Sequence, residues 1–195
     1  MRHLWAGTLA LAILLAFAFV AEAASVGDVS IPDSAVISKD LTQLTLNGAG
    51  LRKKFIIKVY AGALYLSAKS TDPAAISDMG GPKRVLMHFI YDGVSGEKLI
   101  EAWRDGFKNN LSPALHDQMK PRIEKFCSLF TQEMKRGDEI LLDLLPGTGT
   151  MVYVKGKLAG TVEGDDFYNR ALLMVWLGPE PPDKGIKEGM LGLAK

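Results

Sequence analysis

Residues 46–66 have the sequence LNGAGLRKKFIIKVYAGALYL, and they say more about the architecture than any other part of the chain. Asn47 followed by Gly48 is typical of a two-residue β-hairpin turn. The segment from Phe55 to Leu66 that follows has the pattern of a long strand. It is too apolar to have a water-facing side along its whole length, so we expect other elements to cover both of its faces.

Alternate residues of this strand point to opposite faces of a sheet. The odd-numbered positions from Phe55 to Tyr65 are all apolar, which predicts a core face. The even-numbered positions include Lys58 and Tyr60 among apolar residues, a mixture typical of a surface that contacts a ligand. Arg52 has the same parity as Tyr60. It is therefore a candidate for binding an anionic or carbonyl-bearing ligand on that face.

The order of the predicted elements indicates an α+β fold. Strands in the first half of the chain are followed by helices, one of which begins after Ser95 with an apolar stripe at helical spacing. Further strands are expected between residues 138 and 162, and another helix between residues 165 and 177. A large antiparallel sheet with helices on one face fits this order.

The first 23 residues have the pattern of a secretory signal peptide. An uncharged apolar run from Leu4 to Val20 precedes Ala21-Glu22-Ala23, which matches the small-residue cleavage motif. We therefore expect a signal peptide at residues 1–23, a single domain at residues 24–195, and a periplasmic or secreted protein without a stable membrane span. An uncleaved anchor is the alternative, although the run is shorter than the roughly 20 residues that span a bilayer.

Composition and motifs exclude several classes of function. The 23 Lys and Arg residues and the 22 Asp and Glu residues leave a net charge of +1, which gives no electrostatic footprint for nucleic acid. Cys127 is the single cysteine, and its apolar neighbours predict a buried thiol rather than a nucleophile. No spacing of His, Cys and carboxylate residues suggests a metal site. We expect no cofactor.

Three blocks of sequence resemble the chalcone isomerase-like family. The first is the stretch at 46–66, the second is YDGVSGEK at 91–98, and the third is LMVWLG at 173–178, followed by IKEGMLG at 186–192. They occur in the order that the family has. The resemblance implies an open-faced β-sandwich, which is a large antiparallel sheet with helices layered on one face and a ligand cleft between them.

The resemblance also implies roles for individual residues. In the family's enzymes an arginine stabilises a developing enolate oxygen and a tyrosine assists through water, and Arg52 and Tyr91 match these catalytic residues. The enzymes carry a threonine where this chain has Tyr60, an asparagine near Lys98, and a threonine or serine near Asn169. The fatty-acid-binding relatives use the arginine and a tyrosine to hold a carboxylate. The candidate ligand-binding residues are therefore Arg52, Tyr60, Tyr91 and Asn169.

These observations lead to three hypotheses. The first is an exported, non-catalytic protein that binds a fatty acid or a similar apolar molecule with a carboxylate or carbonyl head. The alternative is an intramolecular lyase of the chalcone isomerase type, which closes a chalcone to a flavanone. The third is a scaffold whose cleft is vestigial because Tyr60 fills it. The oligomeric state is left open.

Overall fold

The structure is a computed structural model that describes residues 24–194. These residues form nine strands and five helices. In chain order the elements are β1 (Ala24–Val26), β2 (Val29–Ile31), β3 (Ser34–Val36), β4 (Gln43–Lys54), β5 (Ile57–Leu66), α1 (Pro73–Asp78), β6 (Lys83–Phe89), α2 (Gly96–Asn110), α3 (Pro113–Cys127), β7 (Glu139–Leu145), β8 (Gly149–Val154), β9 (Lys157–Glu163), α4 (Asp166–Leu177) and α5 (Lys184–Met190).

Seven strands form one antiparallel sheet in the order β3-β4-β5-β6-β7-β8-β9. From β4 onward each strand of this sheet pairs with the strand before it in the chain, even where helices intervene, as α1 does between β5 and β6 and α2 and α3 do between β6 and β7. The main core lies between this sheet and the helices α1 to α5, whose buried residues form one continuous cluster with the even-numbered side of β5. The predicted α+β architecture, an antiparallel sheet with helices on one face, is confirmed.

A second, smaller core covers the opposite face of the sheet. It includes Ala61, Ala63 and Tyr65 of β5 together with residues of the short strands β1, β2 and β3. The Tyr65 hydroxyl donates to the Pro32 carbonyl oxygen at 2.9 Å, which attaches this cover to the sheet. From Tyr60 to Leu66 every residue of β5 is buried, so this part of the strand is covered on both faces, as the sequence predicts.

The predicted hairpin turn at Asn47-Gly48 is wrong, because β4 runs without interruption from Gln43 to Lys54. The turn lies at Phe55-Ile56 instead. Asn47 stays in the strand because its amide nitrogen donates to the carbonyl oxygens of Ser70 and Met190, at 2.9 and 2.7 Å, and its amide oxygen accepts from the Ser70 backbone at 2.8 Å. These partners come from distant parts of the chain.

Helix α2 forms where the sequence predicts it. The Ser95 side chain accepts a hydrogen bond from the Lys98 backbone and caps the first turn. Leu99, Trp103 and Phe107 are buried on one side of the helix, which therefore packs onto the main core.

The predicted signal peptide, residues 1–23, lies outside the described residues. Within residues 24–194 no helix has the length and apolar character needed to cross a bilayer.

Candidate functional site

Arg52 and Tyr60 are direct neighbours across the β4–β5 ladder. Residues that lie opposite each other in an antiparallel pair point to the same face of the sheet. For this pair it is the helix-covered face, because Tyr60 belongs to the main core. The structure therefore brings together two of the four predicted site residues, although through two strands rather than along one.

Tyr60 is held by contacts from β6 and α4. The Trp176 indole nitrogen donates to its hydroxyl oxygen at 3.1 Å, and the Phe89 ring lies 5.7 Å away between centroids. Burial raises the pKa of Tyr60 to about 12, while the hydrogen bond from Trp176 and the charge of Arg52 act in the opposite direction. The hydroxyl is therefore neutral near pH 7, and it keeps its own proton for donation to another acceptor.

Arg52 is half-buried, and its guanidinium makes no ion pair within residues 24–194. The nearby carboxylate of Asp183 is engaged elsewhere: it accepts from the Lys53 backbone at 3.2 Å and from the Gly185 backbone at 2.6 Å. A planar guanidinium without an internal partner can bind a carboxylate through two parallel hydrogen bonds.

Tyr91 lies one strand beyond Tyr60 in the sheet. It follows β6, and its backbone nitrogen donates to the Val59 oxygen of β5 at 3.2 Å. Strand β5 separates this position from β4, which carries Arg52. The Tyr91 side chain is 44% exposed.

Asn169 lies near the N-terminal end of α4, where its side chain is hydrogen-bonded to other residues of the protein. Its amide oxygen accepts from the Thr150 hydroxyl at 3.0 Å, and its amide nitrogen donates to the Leu145 carbonyl oxygen at 3.1 Å. Trp176, which contacts Tyr60, follows seven residues later, a distance of about 10 Å along a helix. Asn169 therefore attaches α4 to β7 and β8 and does not lie beside Tyr60.

A pocket and a groove lie on the surface of the described residues, and neither is lined by Arg52 or Tyr60. A small pocket of about 40 Å³ is lined by Asn169, Lys83 and neighbours from α1 and α4. An open groove of about 1020 Å³ follows β4 between the β1 segment and Asp183. Beside Arg52, the space between sheet and helices is filled by Tyr60 and Trp176, both of which are buried.

Trp176 and Asp183 are parts of the site that the sequence did not reveal. The Trp176 indole reaches Tyr60 across 116 positions of the chain. In the sequence Trp176 has the pattern of a core anchor in an apolar helix, and Asp183 that of a residue in a proline-rich loop. No local signal marks either as a neighbour of the Arg52–Tyr60 pair.

The single cysteine, Cys127, is buried in the protein. Burial raises the pKa of the Cys127 thiol to about 11, so the thiol stays protonated near pH 7. Within residues 24–194 no group of three or more His, Cys, Asp or Glu side chains is arranged to hold a metal ion.

Comparisons with known proteins identify the relatives of the chain. A family profile described as chalcone isomerase-like matches residues 23–192. No curated protein matches the sequence. The crystal structure of a fatty-acid binding protein from Arabidopsis thaliana is similar to this one with a TM-score of 0.62, at 21% sequence identity, over 81% of this chain and 95% of that chain. At this identity the likeness shows a shared fold.

Proposed function

The chain belongs to the chalcone isomerase-like family, and from this membership we propose that it is a non-catalytic binding protein for a fatty acid or a similar apolar carboxylate. The observation that carries the proposal is the pairing of Arg52 with Tyr60 on the helix-covered face of the sheet. The similar Arabidopsis protein is a fatty-acid binding protein by its printed name.

The chemistry of the pair suits a carboxylate head group. The Arg52 guanidinium supplies a charged fork of donors, and the Tyr60 hydroxyl supplies a neutral donor whose oxygen is already held by Trp176. Because that hydroxyl has a pKa of about 12, it does not repel an anion at neutral pH. Hydrogen bonds from charged donors are the stronger class, contributing about 1.5–3 kcal/mol each.

We place the acyl chain between α5 and the sheet, next to this pair. Gly62 of β5 leaves a gap on the helix-covered face, which the tips of Ile186 and Met190 now fill. Both tips are flexible ends of apolar side chains, and methionine adapts readily to different neighbours. An acyl chain can therefore take their place and bury its apolar surface against the same core.

Two observations favour a binding role over the isomerase alternative. Tyr60, which stands where the family's enzymes have a threonine, occupies the space beside Arg52 together with Trp176. In addition, the residue directly opposite Arg52 is Tyr60 and not Tyr91, which follows β6 on the far side of strand β5. Closure of a chalcone ring would require both Arg52 and Tyr91 at one substrate.

We further propose that the protein is exported and acts in the periplasm or outside the cell. This proposal rests on the apolar run and the cleavage motif of residues 1–23.

Calorimetric titration with lauric and palmitic acids tests the binding role. We expect the wild-type protein to bind, Arg52→Ala to lose roughly ten- to a hundredfold in affinity, and Tyr60→Phe to lose about tenfold, as expected from the loss of a charged and a neutral hydrogen bond. Arg52→Lys, which keeps the charge but not the fork, should fall between wild type and Arg52→Ala.

Tyr91→Phe is the matched control and should bind as the wild type does. The proposal fails if the wild-type protein does not bind either acid, or if Arg52→Ala binds equally well. The isomerase alternative gains support instead if the wild-type protein bleaches the visible absorbance of a chalcone and Arg52→Ala does not.

A further inference from the structure

The turn between β4 and β5 carries the most exposed large apolar side chains of residues 24–194. Phe55 is 91% exposed and Ile56 is 94% exposed, and the neighbouring Ile57 is also exposed. We refer to residues 53–58 as the hairpin tip. Exposed apolar residues that are contiguous, rather than scattered, typically mark a contact surface.

The geometry of the turn does not explain these side chains. Phe55 has a φ of 57°, in the left-handed region where asparagine and glycine are favoured and bulky side chains are rare. A phenylalanine at this position is unfavourable for the turn, and its side chain contributes nothing to either core. The described fold therefore gives no reason for an apolar side chain at this position.

The apolar side chains are surrounded by positive charge. Lys53, Lys54 and Lys58 are exposed, and none of them forms an ion pair within residues 24–194. Lys53 and Lys58 lie directly opposite each other in the ladder, an arrangement in which like charges repel. The sequence has no acidic residue from position 41 to position 71, so the segment itself does not neutralise them.

The tip also extends past its neighbouring strands. The ladder between β5 and β6 ends at the pair Tyr60–Phe89, and the ladder between β3 and β4 ends at the pair Ser34–Thr45. The hairpin tip therefore projects from the sheet, where a flat surface can reach it.

We propose that the hairpin tip docks the protein onto an anionic lipid bilayer. Phe55 and Ile56 enter the boundary between head groups and acyl chains, and the three lysines contact lipid phosphates. The combination of an apolar tip with basic neighbours is typical of peripheral membrane attachment. A stable protein partner needs about 1,200 Å² of buried surface, far more than two side chains offer, so the lipid surface fits better.

Vesicle binding by the full chain tests the proposal. We expect binding to vesicles of phosphatidylglycerol and phosphatidylcholine, with little binding to phosphatidylcholine alone. Phe55→Ser/Ile56→Ser should weaken binding at least tenfold, since both buried side chains are lost. Lys53→Gln/Lys54→Gln/Lys58→Gln should weaken it by roughly a hundredfold at low salt, at about fivefold per lysine, with a much smaller effect at high salt.

Phe167→Ser is the matched control, because Phe167 is 45% exposed but follows Asp165 and Asp166. It should bind vesicles as the wild type does. A nitroxide label at Ile56→Cys in a Cys127→Ser background reports on the tip directly: in anionic vesicles it should become accessible to oxygen and shielded from a water-soluble nickel complex. The same label at Phe167→Cys should stay accessible to nickel.

Three outcomes would overturn the proposal. One is vesicle binding that the tip substitutions leave unchanged, as attachment through the first 23 residues would give. Another is a label at position 56 that stays exposed to the nickel complex when the protein is bound. The third is self-association without vesicle binding, abolished by Phe55→Ser/Ile56→Ser, which would identify a second copy of the chain as the partner. Fatty-acid affinity should be unchanged in Phe55→Ser/Ile56→Ser, which separates this proposal from the proposed function.

Discussion

Arg52 and Tyr60 combine a charged donor with a neutral one on the same face of the sheet. The guanidinium makes no ion pair within residues 24–194, while the phenol oxygen is held by Trp176 and its proton remains available. A base or nucleophile would need a lowered or near-neutral pKa, whereas burial raises the pKa of Tyr60 to about 12. The pair is therefore suited to binding an anion rather than to transferring a proton.

Burial of Tyr60 and Tyr65 makes the free energy of unfolding depend on pH in the alkaline range. The pKa of Tyr60 is about 12 in the folded protein and close to 10 in an unfolded chain, so the folded state holds its proton more tightly. The contribution is complete below about pH 10 and is lost as the pH rises toward 12, with a size of about 2–3 kcal/mol. We expect the free energy of unfolding in urea to fall across this range.

The comparison of variants isolates the part due to Tyr60. In Tyr60→Phe the free energy of unfolding should fall by about 2–3 kcal/mol less between pH 10 and pH 12 than in the wild type. The part of the fall that is due to Tyr65, whose pKa is also raised to about 12 by burial, should remain. Tyr91→Phe should follow the wild-type profile. Superimposable profiles of Tyr60→Phe and wild type would contradict the prediction.

The glycines of β4 and α5 determine how closely the last helix approaches the sheet. A Cβ atom on Gly48 or Gly50 would meet the backbone of α5, and one on Gly189 would meet the backbone of Ala49 and Gly50. Backbone atoms cannot move aside as side-chain ends can. This close contact positions α5 over the face of the sheet that carries Arg52 and Tyr60.

Substitution of Gly189 should therefore destabilise the protein, although alanine normally favours a helix by about 1 kcal/mol over glycine. For Gly189→Ala we expect a loss of at least about 2 kcal/mol in the free energy of unfolding, because the added methyl group overlaps the backbone of β4. Urea denaturation measures it.

Gly80→Ala is the control, since a Cβ atom there meets nothing within 4 Å. It should change stability by no more than about 0.5 kcal/mol. If Gly189→Ala were as stable as the wild type, α5 would not lie against β4 as closely as described.

Both faces of the sheet are buried, one under a large core and the other under a smaller one. The five helices form the main core with one face of the sheet, and the short strands at the beginning of the domain form the smaller core with the other. The family match spans residues 23–192 and so includes both cores.

Export can be tested on the whole chain. We expect a bacterial host to release a product whose N-terminal residue is Ala24, as measured by intact mass, because Ala21 and Ala23 satisfy the small-residue cleavage motif. Ala21→Glu/Ala23→Glu should leave the chain uncut. An uncut wild-type chain in the membrane fraction would support the anchor alternative.

Local sequence was enough to predict several elements. Ser95 as a helix cap depends on neighbouring residues, and the structure confirms it. The predicted alternation of faces holds from Tyr60 to Leu66, but it is wrong at Phe55 and Ile57, which are exposed at the turn between β4 and β5 instead of lying on a core face. The order of strands and helices predicted the sheet with helices on one face. Helix capping and side-chain alternation depend on residues a few positions apart, so both can be predicted from the sequence without knowledge of the fold.

Local patterns were enough to predict the α+β class, the helix-covered sheet, the family resemblance and the candidate Arg52. Tertiary contacts, by contrast, keep Asn47-Gly48 within β4, place Tyr60 directly opposite Arg52, and attach Asn169 of α4 to β7 and β8. Each of these depends on contacts between residues far apart in the chain, such as Asn47 with Met190 and Tyr60 with Trp176. Such contacts form only when the whole core packs, and tertiary packing then overrides local turn preference.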